Sequence, residues 1–234
     1  ITVSGMKLGE LIDGKETLNQ DIIRPLDNPI YKEGSLAVLK GNLAPDGCVI
    51  KPAACDEKFL KHKGPAIVFD SYPDMKKIID SDELDVTENH VLVLRNVGPV
   101  GGPGMPEWGM MPIPKKLLKK GVRDMVRISD ARMSGTSYGA CILHVAPESY
   151  VGGPLSLLET GDIIEINVDL RSINMLVDEK TLLQRKKKVK KNNPKAGRGW
   201  LWMYSNHVRQ ANEGCDFDFL ESDFGISAKE PDIF

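Results

Sequence analysis

Short apolar runs separated by turn residues dominate the first part of the sequence. Between positions 34 and 71 the chain reads SLAVLKG, NLAPDG, CVIKPAA and, after a polar connection, GPAIVFDS. Runs of this length, bounded by Gly, Pro, Asn and Asp, predict strands joined by tight turns. Further on, the chain contains two more predicted strands, HVLVLRNV and DMVRISD, and then the apolar segment ACILHVA. The alternating segment GDIIEINVDLRSINMLV predicts two strands that meet near residues 169–172.

Helical patterns occupy fewer positions and lie mainly near the end of the chain. Residues 72–84 predict a helix with Pro73 in its first turn, and PIPKKLLKKG predicts a short helix that ends at Gly121. Residues 178–191 and 200–212 predict two more helices. Many short strands with a few outer helices predict a mainly β protein of the α+β class, a closed or nearly closed β-barrel with flanking helices. Since no linker is long enough to divide the chain, we expect a single domain over residues 1–234.

The overall composition is that of a globular protein with a substantial core. The 234 residues are 41% hydrophobic and 27% charged, and the net charge of -2 gives no general attraction to nucleic acid or to anionic membranes. No apolar run approaches the ~20 residues that cross a bilayer. The first residues, ITVSGMKLGE, have neither an initiator Met nor a signal-peptide pattern. We therefore expect a chain that begins upstream, a cytoplasmic location with organellar import left open, and no nucleic-acid or membrane partner.

The four cysteines, Cys48, Cys55, Cys141 and Cys215, are scattered along the chain. They form no CxxC pair, and no histidine lies at zinc-finger spacing from them. This spacing argues against both a disulfide framework and a self-contained metal site. We expect four reduced thiols in an intracellular protein, as small buried side chains.

Three glycine-rich loops, each after a predicted strand, are the candidate functional segments. They are KGNLAPDG around Asn42, GPVGGPGMPEWGMMP at 98–112 with Glu107 as its one acidic residue, and SDARMSGTSYG at 129–139. Glycine permits close approach of a ligand to the backbone and proline restricts the backbone, so the second segment is a shaped loop rather than a helix or a central strand. Either these segments are only turns, or they converge at strand ends on one pocket.

Four motifs occur in order along the chain, and they are GNLAPDG, GPVGGPGMPE, SDARMSG and HVAPESYVGGP. Their order and separations resemble the carboxy-terminal domain of the dihydroxy-acid dehydratase and 6-phosphogluconate dehydratase family. The resemblance extends from TVSGMKLGE to GCDFDFL. The wording of VRISDARMSGT and GCDFDFL resembles the branch that dehydrates sugar acids such as arabinonate and xylonate. The dihydroxy-acid dehydratase of branched-chain amino-acid biosynthesis is the alternative.

The resemblance implies a two-domain dehydratase of which this chain is the second domain. It implies a β-barrel similar to the swivelling domain of aconitase-type enzymes. It also implies an amino-terminal domain, absent from this chain, whose cysteines hold an iron–sulfur cluster, 2Fe–2S in preference to 4Fe–4S, and which carries most ligands of a Mg²⁺ ion. We expect the chain alone to be inactive. The full-length protein is expected to pair it with its own amino-terminal domain and to form a homo-oligomer, a dimer or a tetramer.

Two residues of this chain match functional residues of the family. Glu107, in GMPE, falls on the metal-binding glutamate, and Ser134, in ARMSG, falls on the serine that serves as catalytic base. Removal of water from a 2,3-dihydroxy acid needs a base at C2, a cation for the carboxylate and the developing enediolate, and a Lewis acid for the C3 hydroxyl. Mg²⁺ prefers hard oxygen ligands such as carboxylates. A serine can act as the base only where a nearby cation favours its alkoxide, and the product would be a 2-keto-3-deoxy acid.

Thr136, Asn42 and His144 are further candidates for binding the hydroxy-acid substrate. Thr136 and its neighbour Ser137 could bond substrate hydroxyls, but loop hydroxyls commonly bond local backbone. His144 lies in an apolar run, where the alternative is a core histidine with a satisfied ring. These alternatives stay open from the sequence.

Charged residues of SDARMSGTSYG are expected to hold this loop in place. Arg132 is expected to pair with Asp130 or with Asp124. Asp130 itself is interpreted as a loop anchor rather than a proton carrier.

The basic tract RKKKVKKNNPKAGR at 185–198 would be the working surface of a second functional class, a non-catalytic binding or assembly domain. We interpret the tract itself as the solvated face of a helix. Three residues would give that helix an apolar side: Leu182, Leu183 and Val189. The nearby Trp200, Trp202 and Tyr204 are then packing partners or a subunit contact rather than a platform for stacking bases.

Overall fold

The computed structural model describes residues 1–30, 32, 34–189, 192 and 196–220. The chain divides into two compact units, Ile1–Gly34 and Ser35–Phe234. In the first unit, the short helix α1 (Leu8–Ile12) exposes its apolar residues to solvent. All candidate site residues lie in the second unit.

Eight strands form one mixed sheet in the second unit. In chain order they are β1 (Ala37–Leu39), β2 (Gly47–Ile50), β3 (Lys61–Phe69), β4 (Val91–Leu94), β5 (Arg127–Ser129), β6 (Cys141–Ala146), β7 (Ile163–Asn167) and β8 (Ser172–Met175). Across the sheet their order is β1-β2-β6-β5-β4-β3-β7-β8. Strands β3 to β6 pair in parallel at the centre, and the pairs toward both edges are antiparallel.

The two edge strands meet and nearly close the sheet into a barrel. Lys40, just after β1, forms a parallel bridge with Ser172 at the start of β8. The Lys40 N–H donates to the Arg171 carbonyl at 2.9 Å, and the Ile173 N–H donates to the Lys40 carbonyl at 3.1 Å. Glycine is required at Gly41, because a Cβ there would lie 1.9 Å from the Ile173 carbonyl oxygen. The predicted α+β class and nearly closed barrel are therefore confirmed.

Apolar side chains of the central strands fill the core. The β4 sequence is VLVL, and all 4 of its residues are buried. A parallel strand covered on both faces has no polar alternation, which is why HVLVLRNV reads as a continuous apolar run. The segment ACILHVA also forms a strand, β6, whose residues are buried except for the half-buried His144.

Helix α2 (Tyr72–Ile78) begins as predicted and ends earlier than predicted. The Ser71 hydroxyl caps its first turn by accepting from the Asp74 N–H at 3.2 Å. The predicted end at residue 84 is wrong, because short polar side chains after Ile78 bond locally instead. The Ser81 hydroxyl accepts from the Glu83 N–H at 3.2 Å, a turn that competes with helix continuation.

Helices α3 (Lys115–Lys119) and α4 (Glu179–Lys188) lie where the sequence predicts them. Gly121 follows α3 with a positive φ of 89°. The predicted end of α4, residues 190 and 191, lies outside the described residues.

The apolar side predicted for α4 is largely wrong. Leu182 is partly buried and packs against the core, but Leu183 is 54% exposed and Val189 is 41% exposed. The helix is attached instead through Arg185, whose guanidinium bonds both carboxylate oxygens of Asp162. The first basic residue of the tract therefore has a structural partner.

Helix α5 (Gly199–His207) is shorter than the predicted range of 200–212. It ends because Val208 is extended and bridges Phe217 in a separate antiparallel contact. Trp200 is 72% exposed, so it is not buried against another part of the described unit. No helix in the described ranges is long and apolar enough to cross a membrane.

All 4 cysteines are free thiols, as the sequence predicts. Cys48 and Cys141 are buried, whereas Cys55 and Cys215 are half-buried. Burial raises the pKa of Cys48 to about 12 and that of Cys141 to about 11. These thiols are therefore protonated and unreactive at neutral pH.

Candidate active site

Two of the three glycine-rich loops lie side by side at one edge of the sheet. The Glu107 loop (residues 98–112) follows β4, and the Ser134 loop (residues 130–139) follows β5. Because β4 and β5 are parallel neighbours, their carboxyl ends deliver both loops to the same edge. Parallel pairing therefore explains why residues that are distant in sequence meet here.

Arg132 joins the two loops directly. Its Nη2 lies 3.1 Å from Glu107 Oε1, and its Nε donates to the Met105 carbonyl at 3.3 Å. Its main-chain N–H donates to the Pro106 carbonyl, also at 3.3 Å. The predicted pairing of Arg132 with Asp130 or Asp124 is wrong, because both of these carboxylates are buried and bonded to other groups.

Ser134 is half-buried, and its hydroxyl is oriented by the next turn of its own loop. The Ser134 Oγ lies 3.0 Å from Thr136 Oγ1, and it accepts from the Thr136 N–H at 3.3 Å. The Ser134 N–H in turn donates to Ser137 Oγ at 3.1 Å. Thr136 is exposed and Ser137 is buried. Of these two hydroxyls, therefore, only that of Thr136 is placed to reach a ligand from solvent.

Lys51 bonds to the backbone of the Ser134 loop, a contact that was not predicted from the sequence. Its Nζ donates to the carbonyls of Ser134 at 3.0 Å, Gly135 at 3.1 Å and Ser137 at 3.4 Å. Lys51 directly follows β2 and is half-buried. The available signal was a lysine placed at the end of a buried strand, where a charge needs a partner.

His144 occupies a β-bulge that turns it toward the Ser134 loop. The register between β2 and β6 shifts between Gly47 and Val49, and His144 has a positive φ of 58°. Its Nε2 accepts from the Met133 N–H at 2.8 Å, and its main-chain N–H donates to the Ala131 carbonyl at 3.1 Å. Bulges commonly re-aim a side chain beside an active site. Because Nε2 is the acceptor, the neutral ring carries its proton on Nδ1.

The free energy of unfolding is expected to depend on His144 below neutral pH. Burial, and then the charge of Arg132, lower the pKa of His144. The unfolded chain takes up this proton near pH ~6.5, whereas the folded chain resists it. The contribution of His144 to the free energy of unfolding is therefore complete above about pH 6.5, and it is lost as the pH falls toward the lowered pKa of the folded state. Urea unfolding at pH values from 7.5 to 5 should show a steeper loss in the parent protein than in His144→Gln.

Asp130 is a loop anchor, as predicted, but it holds the residues that lead into the Glu107 loop rather than its own loop. Its fully buried carboxylate accepts from the N–H groups of Asn96 at 3.2 Å and Val97 at 3.0 Å. It also accepts from the Ser149 hydroxyl at 2.5 Å and the Ser149 N–H at 2.9 Å. Burial raises the pKa of Asp130, and these donors oppose that rise.

Glu148 holds the next part of the same loop, and the sequence analysis missed it. The buried carboxylate accepts from the N–H groups of Val100 and Gly101, each at 2.8 Å, and from Gln210 Nε2 at 2.9 Å. A Cβ at Gly98 would lie 2.6 Å from Glu148 Oε2, so glycine is needed for this close approach. The Glu107 loop is therefore fixed from inside by two buried carboxylates.

The side chain of Asn42 bonds to β8, the strand that meets β1 where the barrel nearly closes. Its Nδ2 donates to the Met175 carbonyl at 2.9 Å, and its Oδ1 accepts from the Met175 N–H at 2.8 Å. The flanks of its loop share a cavity of about 300 Å³ with His144, lined also by Lys40, Asp46 and Cys48. The structure thus brings Glu107, Ser134, Thr136 and His144 to one edge, while the amide of Asn42 pairs with β8.

Glu107 has the donor chemistry that a hard cation requires. Its side chain is 44% exposed, and its partner Arg132 is 52% exposed, so the carboxylate is accessible from solvent. Within the described ranges, no group of three or more His, Cys, Asp or Glu side chains could hold a metal ion. The Glu107 carboxylate therefore fits the role of a single oxygen ligand for such a cation.

The fold and loops define an α+β barrel domain that presents a carboxylate and a serine hydroxyl on adjacent loops at one sheet edge. Comparison of sequences then identifies the family. The family model described as dihydroxy-acid/6-phosphogluconate dehydratase, C-terminal, matches residues 21–215. The chain belongs to this family.

Curated relatives carry dehydratase names. The chain is 49% identical to the 6-deoxy-6-sulfo-D-gluconate dehydratase of Pseudomonas putida, over 98% of the chain and 40% of the relative. It is 43% identical to the L-arabinonate dehydratase of Rhizobium leguminosarum bv. trifolii, over 94% of the chain and 38% of the relative. It is 42% identical to the dihydroxy-acid dehydratase of Clostridium beijerinckii, over 93% of the chain and 39% of the relative. The chain thus spans about two fifths of the length of these relatives.

Proposed function

We propose that this chain is the carboxy-terminal part of a hydro-lyase that dehydrates a 2,3-dihydroxy sugar acid to a 2-keto-3-deoxy acid. The observation that carries the proposal is the Arg132 bridge, which places the carboxylate of Glu107 and the loop of Ser134 at one edge. Membership of the dehydratase family supports the same chemistry.

Ser134 is the proposed base that removes the proton from C2 of the substrate. Its Oγ already accepts from the Thr136 N–H, and a donor to this oxygen stabilises the alkoxide more than the neutral hydroxyl. The exposed Thr136 hydroxyl, 3.0 Å from the same oxygen, is placed to bond a substrate hydroxyl. The proton from C2 and the hydroxyl from C3 leave as water, and the enol product converts to the 2-keto-3-deoxy acid.

Glu107 is the proposed ligand of Mg²⁺. The bound cation would neutralise the substrate carboxylate and the charge that develops when C2 loses its proton. On binding it, the Glu107 carboxylate would give up its contact with Arg132, whose bonds to the Met105 and Pro106 carbonyls would remain. An iron–sulfur cluster, which we place in the amino-terminal domain, would supply the Lewis acid for the C3 hydroxyl.

A sugar acid is the proposed substrate class. The relatives named for sulfogluconate and arabinonate are 49% and 43% identical to the chain, and the dihydroxy-acid dehydratases compared are 40–42% identical. The difference is small, so the branched-chain dihydroxy acid is retained as the second substrate in the assay below. Asn42 and His144 remain candidates for substrate contact in the proposal.

The proposed partners are the amino-terminal domain of the same protein and further copies of the full-length chain in a cytoplasmic homo-oligomer. The exposed aromatic residues of α5, including Trp200 and Trp202, support a protein contact on that face. A non-catalytic domain acting through the basic tract is less well supported, because Arg185 is bonded to Asp162.

The function is tested by assaying the full-length protein against a panel of aldonic acids and 2,3-dihydroxyisovalerate. We expect a 2-keto-3-deoxy acid from at least one aldonic acid, detected with semicarbazide at its keto group. Turnover of 2,3-dihydroxyisovalerate alone would assign the branched-chain reaction instead. Absence of any 2-keto product from reconstituted protein would reject the hydro-lyase function.

Glu107→Gln in the full-length protein is expected to weaken Mg²⁺ binding by at least about tenfold and to leave the barrel folded, because a neutral amide is a poorer ligand for a hard cation. Isothermal titration with Mg²⁺ measures the affinity. The matched control is Glu88→Gln, at an exposed glutamate that pairs with Lys58. Equal Mg²⁺ affinities of the parent protein and Glu107→Gln would remove Glu107 from the metal site.

A further inference from the structure

We propose that Lys51 and His144 are positioning residues that clamp the backbone on the two sides of Ser134 and so place its hydroxyl for proton transfer. The inference rests on the proposed role of Ser134 as the base. It gives Lys51 and His144 a function through the loop that they hold, and this function is separate from the substrate contact proposed for His144.

Lys51 gathers the carbonyl groups that follow Ser134 in the loop. One ammonium bonds three carbonyls, those of Ser134, Gly135 and Ser137, at 3.0, 3.1 and 3.4 Å. Three carbonyl dipoles that point at one spot repel one another unless a cation lies between them. Hydrogen bonds from a charged donor are also stronger than those between neutral groups. Lys51 is therefore the group that allows this tight turn to form around the base.

His144 holds the residue that precedes Ser134. Its Nε2 accepts from the Met133 N–H at 2.8 Å, and its main-chain N–H donates to the Ala131 carbonyl at 3.1 Å. The positive φ of His144, 58°, is an uncommon conformation for a non-glycine residue. Such a conformation persists where the surrounding structure requires it. Here it allows His144 to make both bonds to the loop.

The two clamping residues stand on one rigid frame. Lys51 follows β2 directly, His144 lies within β6, and these strands are paired, with Ile50 opposite Ile142 and Val49 opposite Leu143. Both contacts to the loop are therefore made from the same pair of hydrogen-bonded strands. A change in either contact moves Ser134 relative to the barrel without removing its hydroxyl.

Lys51→Met tests the first contact, because it keeps the apolar stem and removes the ammonium. We expect kcat for the aldonic acid found in the panel to fall by about 10²-fold with KM changed less than about threefold, since a displacement near 1 Å can cost this much. Lys51→Arg retains a cationic donor and should recover at least about tenfold of the loss. The matched control is Lys61→Met. It removes an exposed lysine of β3 that pairs with Asp169, and it should leave kcat unchanged.

His144→Met and His144→Gln test the second contact as a matched pair. Both side chains are unbranched and face the same backbone penalty at a positive φ, but only Gln carries an oxygen that can accept from the Met133 N–H. We expect His144→Met to lose about tenfold or more in kcat and His144→Gln to recover most of it. Equal losses in the two variants would overturn the role of His144.

Hydrogen exchange in the full-length protein gives a measurement that does not depend on turnover. The N–H groups of Met133, Ser134, Thr136 and Ser137 are bonded within this clamp. Their exchange should be at least about tenfold faster in Lys51→Met than in Lys61→Met, while exchange in β4 stays the same. Unchanged exchange in the loop, or parent-level kcat in Lys51→Met, would overturn the clamp. If the protein proves to have no dehydratase activity, faster exchange still supports the clamp, and only the base role of Ser134 is lost.

Discussion

Ser134→Ala is expected to lower kcat of the full-length enzyme by about 10³-fold with little change in KM, because a base acts chiefly in the transition state. The substitution removes the Oγ that lies 3.0 Å from Thr136 Oγ1 and leaves the loop backbone bonded to Lys51. The measurement is steady-state turnover of an aldonic acid, with Ser35→Ala, at an exposed serine before β1, as the control.

Exchange of the C2 proton with solvent identifies the step that is lost. In deuterated water, the parent enzyme should incorporate deuterium at C2 of the substrate whenever proton removal is reversible. Ser134→Ala should show no such incorporation. Incorporation at the parent rate in the variant would mean that another group is the base.

Arg127→Met is expected to lower the free energy of unfolding by roughly 3–5 kcal/mol, the usual cost of leaving one partner of a buried ion pair alone. Arg127 is 2% exposed and lies 3.0 Å from Asp124 Oδ1. Its Nη1 also donates to the Met111 carbonyl at 3.2 Å, and its Nη2 donates to the Tyr138 carbonyl at 3.1 Å. One buried guanidinium thus bonds the ends of both functional loops.

Urea unfolding followed by circular dichroism measures this effect against the exposed pair of Lys61 and Asp169. Lys61→Met should cost less than about 1 kcal/mol, because exposed ion pairs contribute little. In Arg127→Met the carboxylate of Asp124 keeps its bonds from the N–H groups of Met125 and Ala140 but loses its countercharge. Equal losses of unfolding free energy in Arg127→Met and Lys61→Met would show that the buried ion pair stabilises the fold no more than the exposed pair does.

The sequence predicted the barrel well because its strands are short and buried. The VLVL run of HVLVLRNV is apolar at every position and buried at every position, as expected for a strand in the centre of a parallel sheet. DMVRISD has only a short apolar run, and its strand also buries Arg127 and Ser129. Helix ends were predicted less well. Helix α2 ends at Ile78, where local turns compete with it. Helix α5 ends at His207, where Val208 forms a bridge with the distant Phe217. Such competition depends on the folded neighbours and has no strong periodic signal.

The three loops were recognisable from their glycines, but their partners were not. Lys51 and Ser134 are separated by 83 residues in sequence, and Gly101 and Glu148 by 47. Arg132 pairs with Glu107, while the nearby carboxylate of Asp130 is buried under four backbone and hydroxyl donors. Charge and proximity in sequence favoured the wrong partner. The choice is made by the parallel pairing of β4 with β5, which only the fold supplies.

A crystal structure of the full-length protein with Mg²⁺ and its aldonic acid, in the Ser134→Ala variant to prevent turnover, tests the central claim most directly. The account predicts a Glu107 carboxylate oxygen at about 2.0–2.1 Å from the metal. It also predicts that the Cβ of Ala at position 134 points at C2 of the substrate. A serine oxygen added to that Cβ would then lie about 3–3.5 Å from C2. A metal site complete without Glu107, or a substrate bound away from the Ser134 loop, would contradict the account.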